Sequence, residues 1–186
     1  MSTTTRVTFE QYEELVLQGA FEPREEHHVE LLYGEIVPMS PIGPPHNDAI
    51  AELLEWSTEI LPPKTVRVHA QGPIGVPGLD SEPEPDLVWA VRNKYRNRHA
   101  LPHEILLLIE VAESSLAKDR GLKARLYAEA GIADYWIVNL AEHCIEVRRD
   151  PVGGAYQSVE TYRAGQEVRP LAFPDAALPV DRVFPE

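Results

Sequence analysis

The sequence predicts an α/β or α+β fold, a sheet with helices packed on it. Three observations carry that expectation. Two segments, Asp48–Leu61 and about Ala117–Ala130, repeat apolar residues at roughly the helical period. Several short runs, among them "DLVWAV", "EILLLIEVA" and "DYWIVNL", have strand composition. Proline and glycine clusters mark the breaks between these segments.

Each element follows in order. Thr8 with Gln11 fits a capping box that opens a helix through "FEQYEELVLQG", ended by Gly19. "HHVELLYGEIVPMSP" reads as a hairpin, with Val29, Leu31 and Tyr33 on one face and Gly34 near the turn. "PIGPPHN" is a loop before the helix from Asp48 to Leu61, whose apolar face is Ile50, Leu53, Leu54 and Ile60, with Trp56 nearby. "LPPK" breaks that helix, and "TVRVHAQGPIGV" alternates as a strand. "GLDSEPEP" is a loop, because Pro83 and Pro85 disfavour a central strand. "DLVWAV" is a strand, and the near-continuous apolar run of "EILLLIEVA" reads as a strand buried on both faces. The helix over about Ala117–Ala130 sets Leu122, Leu126 and Ala130 at spacing four and closes on Gly131. "DYWIVNL", "CIEVRRD" and "AYQSVETYR" are strands, and the proline-broken apolar tail is expected to dock on the body.

A chain of 186 residues, 44% apolar and 25% charged, suits one domain with a sizeable core. No apolar run approaches the roughly 18 residues of a membrane span. "MSTTTRVTFEQYEELV" lacks a basic segment followed by an apolar one, so secretion is not expected. The single cysteine, Cys144, excludes an intrachain disulfide and a cysteine-rich metal site. It is expected to be buried, in a cytoplasmic protein. The net charge of −13 opposes general nucleic-acid binding. Against that trend, "VRNKYRNRHA" gathers Arg92, Lys94, Arg96 and Arg98, which read either as a phosphate-contacting patch or as a solvated basic loop.

The acids carry the chemistry. Asp86 stands at the mouth of "DLVWAV" and Glu110 inside "EILLLIEVA". A carboxylate in an apolar strand is costly unless it is compensated. Strand alternation puts Asp86, Val88 and Ala90 on one face, and Leu106, Leu108 and Glu110 on one face. If the strands are neighbours, the two acids converge and raise each other's pKa. A hard divalent cation relieves that conflict, because Mg²⁺ takes oxygen ligands and keeps several waters. Asp119, Lys123 and Tyr127 share a helical stripe. Lys123 reads as a cation orienting an attacking water, or as half of a surface ion pair with Asp119. Glu84, between the prolines, is expected to face solvent. His27 and His28 point to opposite faces and read as surface groups, while His99, His103 and His143 show no ligand spacing. Ser114 and Ser115 lack a nucleophile elbow and read as loop or helix-start residues. Tyr135 and Trp136 read as core.

From about Thr8 to the tail, the sequence resembles the Uma-type family of restriction-endonuclease-like proteins, within the PD-(D/E)XK nuclease superfamily. The likeness rests on "HHVELLYGEIVPMSPIGPPHNDAI", "QGPIGV" and "SEPEPDLVW", and above all on "IEVAESSLAKDRGLKARLYAEAGIADYWIVNL". It implies a restriction-endonuclease-like mixed central sheet flanked by helices. One domain would hold an N-terminal helix and hairpin over about 8–42, a nuclease core over about 44–140, and C-terminal strands with a docked tail over about 141–186. It implies that Asp86 and Glu110 are catalytic metal ligands, joined by the backbone carbonyl of Val111. Where the superfamily usually has its lysine this chain has Ala112, and Lys123 matches the lysine that the family carries on the next helix. Glu30 matches a further catalytic acid that would join the metal, and His46 and Gln71 match accessory positions. The implied activity is hydrolysis of phosphodiester bonds, most naturally in DNA, by a water activated on Mg²⁺ or Mn²⁺. A homodimer built on the tail and late strands would suit double-strand cleavage. A catalytically inactive scaffold on the same fold is the other class, since fold alone does not fix function.

Overall fold

Thr8 and Gln11 form the capping box, each side chain bonding the other's backbone N–H, and α1 (Phe9–Leu17) starts there. The structure is a computed structural model that describes residues 6–23, 28–62 and 64–184. After α1 come the hairpin β1 (Val29–Leu32) and β2 (Glu35–Pro38), then α2 (Pro44–Ile60), β3 (Val66–Ala70), β4 (Leu87–Val91) and β5 (Ile105–Ala112). A bent helix follows: α3 (Leu116–Lys118), a π turn over Asp119–Lys123, and α4 (Ala124–Glu129). The chain ends with β6 (Asp134–Asn139), β7 (Cys144–Val152), β8 (Ala155–Tyr162), β9 (Glu167–Val168), β10 (Leu178–Pro179) and α5 (Val180–Val183).

Among the described residues the central sheet has six strands in the order β3-β4-β5-β6-β7-β8. It is mixed, because β5 and β6 run parallel and the other neighbours antiparallel. The parallel pair needs a crossover, and the bent helix supplies it. At the β7–β8 turn, Gly153 and Gly154 both take positive φ, which a two-residue turn of this kind requires.

The sheet is covered on both faces. Leu107, Ile109, Val111, Trp136 and Val138 pack under α2 and the tail. Val88, Ala90, Leu108, Ala112, Tyr135 and Ile137 pack under the bent helix. In the first layer Trp56 stacks on Trp89 and Trp136, with ring centroids 4.9 and 5.9 Å away. The polar ends are met: Trp56 Nε1 donates to the Ala177 carbonyl at 3.0 Å, and Trp89 Nε1 to Ser57 Oγ at 2.8 Å. The first of these ties the tail to α2, and Arg182 of α5 adds ion pairs to Glu52 and Glu59. Cys144, Tyr135 and Trp136 are fully buried, as the sequence suggests.

Four features differ from the sequence reading. Helix α2 begins at Pro44 rather than Asp48, because proline is tolerated in the first turn, where N–H groups lack partners anyway; Leu54 is exposed rather than core. The strand expected through "QGPIGV" stops at Ala70, and Gln71 turns the chain at φ 50°. Leu106 packs on the α2 side, away from Leu108, because the β4–β5 register slips between Trp89 and Ala90. The third helix is interrupted by the π turn, which leaves Leu122 41% exposed and buries Lys123. No helix among the described residues is long and apolar enough to cross a membrane.

Candidate active site

The register that sets Leu87 opposite Ile109 places Asp86 opposite Glu110 one step further on, under the bent helix. Both are buried, at 8% and 3% exposure. Asp86 Oδ2 accepts the Val111 N–H at 2.7 Å and lies 3.3 Å from His46 Nε2. Glu110 Oε1 accepts from Lys123 Nζ at 2.9 Å and from Tyr127 Oη at 2.6 Å. In each acid the bonds converge on one oxygen, which leaves the other available. Prolines 83 and 85 bring the chain stiffly to this point, and the early start of α2 brings His46 there in its first turn.

The lysine is held from the opposite side. Glu30, fully buried in β1, stands 3.2 Å from Lys123 Nζ through Oε2 and accepts from Lys118 Nζ at 2.9 Å through Oε1. Lys123 is therefore no surface partner of Asp119; both are buried, and Asp119 Oδ2 accepts from Ser115 Oγ at 2.5 Å. Asp119 Oδ1 is buried and has no hydrogen-bond partner among the described residues. His46, Gln71, Asp86, Glu110, Asp119 and Lys123 line a cleft of about 40 Å³. That is room for a small ion and a water.

Glu84 is a correction. It is 6% exposed, faces the same cleft and lies 3.4 Å from His28 Nε2, because the loop folds back beneath β1. His28 is half-buried at the cleft, and His27 lies outside the described residues. Gln71 is exposed at the rim, and its N–H donates to the Asp86 carbonyl at 2.9 Å. Tyr127, on the stripe that spacing shows, bonds Glu110, whereas Lys118, which pairs with Glu30, carries no signal that sequence reasoning could read, since its partner is distant in the chain.

The electrostatics follow from burial and pairing. Burial would raise the Glu30 pKa, but Lys123 and Lys118 outweigh it and hold the acid below its ordinary value. Burial pushes Glu110 well above its ordinary value; Lys123 opposes this, and the Asp119, Asp86 and Glu30 charges add to it. Burial would lower Lys123, yet Glu110, Glu30 and Asp119 together raise it, so it stays protonated. His46 is likewise raised, its desolvation outweighed by Asp86 and the Val111 carbonyl. Asp119 is raised by burial despite Lys123 and Ser115. Carboxylate oxygens with spare lone pairs form an all-oxygen donor set, which suits a hard divalent cation.

A second group is closer-knit. Ligand atoms of Glu13, Glu82 and His99 all lie within 4.8 Å of one another, whereas Asp86, Glu110 and Asp119 form no set that tight. The group bridges α1, the loop before β4 and the loop before β5, so residue spacing could not reveal it.

The basic segment lies elsewhere. It follows β4, at the opposite end of that strand from Asp86, about 16 Å away at ~3.3 Å per residue. Arg92, Lys94 and Arg96 are exposed, while Arg98 grips Glu104 with bonds of 2.6 and 2.8 Å. That grip, against a smaller cost of burial, holds the Glu104 carboxyl at about 2 rather than 4.5. Its contribution to stability is complete above pH 4.5 and drains away as pH falls toward 2. The Glu104→Gln variant should therefore show a flatter acid-unfolding curve over that window by circular dichroism; an unchanged curve would refute the linkage.

The fold is a mixed sheet that brings two buried acids and a buried lysine together at one strand end. The "Putative restriction endonuclease" family, Uma2, matches residues 9–181, and the chain belongs to it. A crystal structure described as a "putative nuclease belonging to DUF820" from Anabaena variabilis shares the fold at a TM-score of 0.74. It is 15% identical, over 96% of this chain and 97% of that one. None of the curated proteins matches the chain.

Proposed function

We propose that the cleft hydrolyses phosphodiester bonds, most naturally in DNA, with Mg²⁺ or Mn²⁺ held by Asp86, Glu110 and the Val111 carbonyl. One observation carries the reading: two buried acids, each with an oxygen to spare, converge beside a buried lysine. Such a cation polarises a phosphoryl oxygen and lowers the pKa of bound water. The protein's own groups do the placing. Glu30 and Glu110 fix Lys123 Nζ by two contacts, which leaves its third N–H to orient water or steady a phosphoryl oxygen. Lys118 keeps Glu30 ionised, and His46 with the Val111 N–H sets the rotamer of Asp86.

The cleft admits little beyond the reacting group, so the duplex lies across its mouth. Arg92, Lys94 and Arg96 would then meet phosphates about five base pairs away, at the ~3.4 Å spacing of one strand. Through these cations binding falls with salt by about one power of ten per decade of salt for each phosphate met, and the net charge of −13 keeps it weak. A cytoplasmic site of action and a homodimer with two clefts complete the reading.

The test is cleavage of supercoiled and linear DNA with Mn²⁺ and Mg²⁺, comparing wild type with Asp86→Ala. Metal-dependent cleavage that Asp86→Ala abolishes is the expected result. Equal cleavage by both proteins would identify a contaminant, and no cleavage of any substrate beside normal metal binding would favour the inactive scaffold.

A further inference from the structure

We propose that Asp119 is a positioning residue of the same site, accepting a hydrogen bond from a water on the cation. The inference rests on the cation reading above. Asp119 is 1% exposed and lines the cleft with Asp86 and Glu110. Ser115 Oγ fixes its Oδ2, and its Oδ1 is left buried with no hydrogen-bond partner among the described residues. Leaving a buried acceptor unmet costs about 1–3 kcal/mol, more when it is charged. The neighbouring lysines do not offset this by direct contact: Lys118 bonds Glu30, and Lys123 bonds Glu110 and Glu30.

The chain goes out of its way to hold this acid. The π turn interrupts an otherwise α-helical run, and such turns recur at functional sites. The Asp119 carbonyl is pinned twice, by the Ala124 N–H and by Tyr135 Oη at 3.1 Å. One oxygen of this acid is committed to Ser115, and the other is left for a donor that the described residues do not supply.

Direct ligation of one ion by all three acids does not fit. Oxygens on a common Mg²⁺ stand ~2.1 Å from it, so no two are more than about 4.2 Å apart. Asp86, Glu110 and Asp119 form no set of ligand atoms within 4.8 Å. A water reaches across the difference. Mg²⁺ retains waters, and groups that hold a metal's ligands from outside are worth about 10–100-fold in affinity.

The experiment is a Mn²⁺ titration of the whole chain, reading free Mn²⁺ by electron paramagnetic resonance, with the melting temperature of the metal-free protein beside it. The proteins are wild type, Asp119→Asn, Ser115→Ala and Asp86→Ala. Asn keeps the shape and the Ser115 bond but removes the charge. It should weaken Mn²⁺ binding about 10-fold or more, with a metal-free melting temperature equal to or above wild type. If Asp119→Asn is itself less stable, Ser115→Ala decides. It keeps the acid but frees its rotamer, and should weaken Mn²⁺ several-fold. Unchanged affinity in the deciding variant, where wild type binds and Asp86→Ala does not, overturns the role of Asp119 alone. Failure of wild type to bind Mn²⁺, or equal binding by Asp86→Ala, overturns the cation reading and this inference with it.

Discussion

Replacing Lys123 with methionine should destabilise the protein by about 3–5 kcal/mol, the cost of removing one partner from a buried charge cluster. Methionine matches the lysine stem closely, so little packing is lost. What is lost is the cation between Glu110 Oε1 and Glu30 Oε2, at 2.9 and 3.2 Å. Glu30 keeps Lys118, but Glu110, already pushed well above its ordinary pKa by burial, keeps only the Tyr127 hydroxyl. The midpoint of urea unfolding measures the effect. Adding Glu110→Gln to Lys123→Met should restore most of the loss, because the orphaned charge goes too; the double-mutant cycle isolates the coupling. A single-variant loss below about 1 kcal/mol would mean that Glu110 takes a proton at no cost, and that the cluster is not held by charge.

The same cluster explains why this part of the molecule tolerates so many acids. Glu30, Asp86, Glu110 and Asp119 sit against Lys118, Lys123 and His46, each with a distinct partner set. Backbone groups share the load: the Val111 N–H on Asp86 and the Glu84 N–H on Glu30 at 3.4 Å come from strands and loops already fixed by the sheet. The core on both sides, three stacked tryptophans on one face and the Tyr127–Tyr135 pair on the other, keeps these positions from relaxing.

How much of this the sequence shows depends on how local each cause is. The capping box at Thr8, the hairpin around Gly34 and the turn at Gly131 are settled by neighbours in the chain and read correctly, except that Tyr33 joins Gly34 in the turn at φ 50° rather than sharing the strand face of Val29 and Leu31. The convergence of Asp86 with Glu110 follows from alternation plus a strand pairing, and alternation is visible. The slip that sends Leu106 to the other face is not, since a bulge answers to the partner strand. Nor is the π turn: "AKDRGLK" has ordinary helical composition, and the extra residue is stabilised by contacts such as Tyr135 Oη on the Asp119 carbonyl. Glu84 reads as exposed because prolines and acids mark surface loops, yet β1 folds over it, and Leu31 pairs with Glu82 beside it. Lys118 and the Glu13–Glu82–His99 group fail to register for the same reason, because their partners lie tens of residues away.

Glu110→Gln should move activity and stability in opposite directions. It should cut metal-dependent cleavage about 10³-fold, which is ~4 kcal/mol of transition-state stabilisation, because a neutral amide holds a hard cation poorly. Metal-free stability should hold or rise by about 1 kcal/mol, because burial already disfavours the Glu110 charge and Lys123 retains Glu30 as its counter-charge. Tyr127 Oη still finds a carbonyl acceptor, and Lys123 keeps Glu30. The pH dependence sharpens the contrast. An acid whose folded pKa lies above its unfolded value makes the native state lose stability as pH rises from about 4.5 toward the folded value. In wild type without metal this component should therefore be largest on the acid side of that range. Glu110→Gln should lack this component, and saturating Mn²⁺ should reverse it in wild type by favouring the ionised carboxylate. Melting curves across pH, with and without Mn²⁺, read all three effects. A variant that loses stability and activity together would mark Glu110 as a structural acid, and the cation would then have to be sought away from the β4–β5 strand ends.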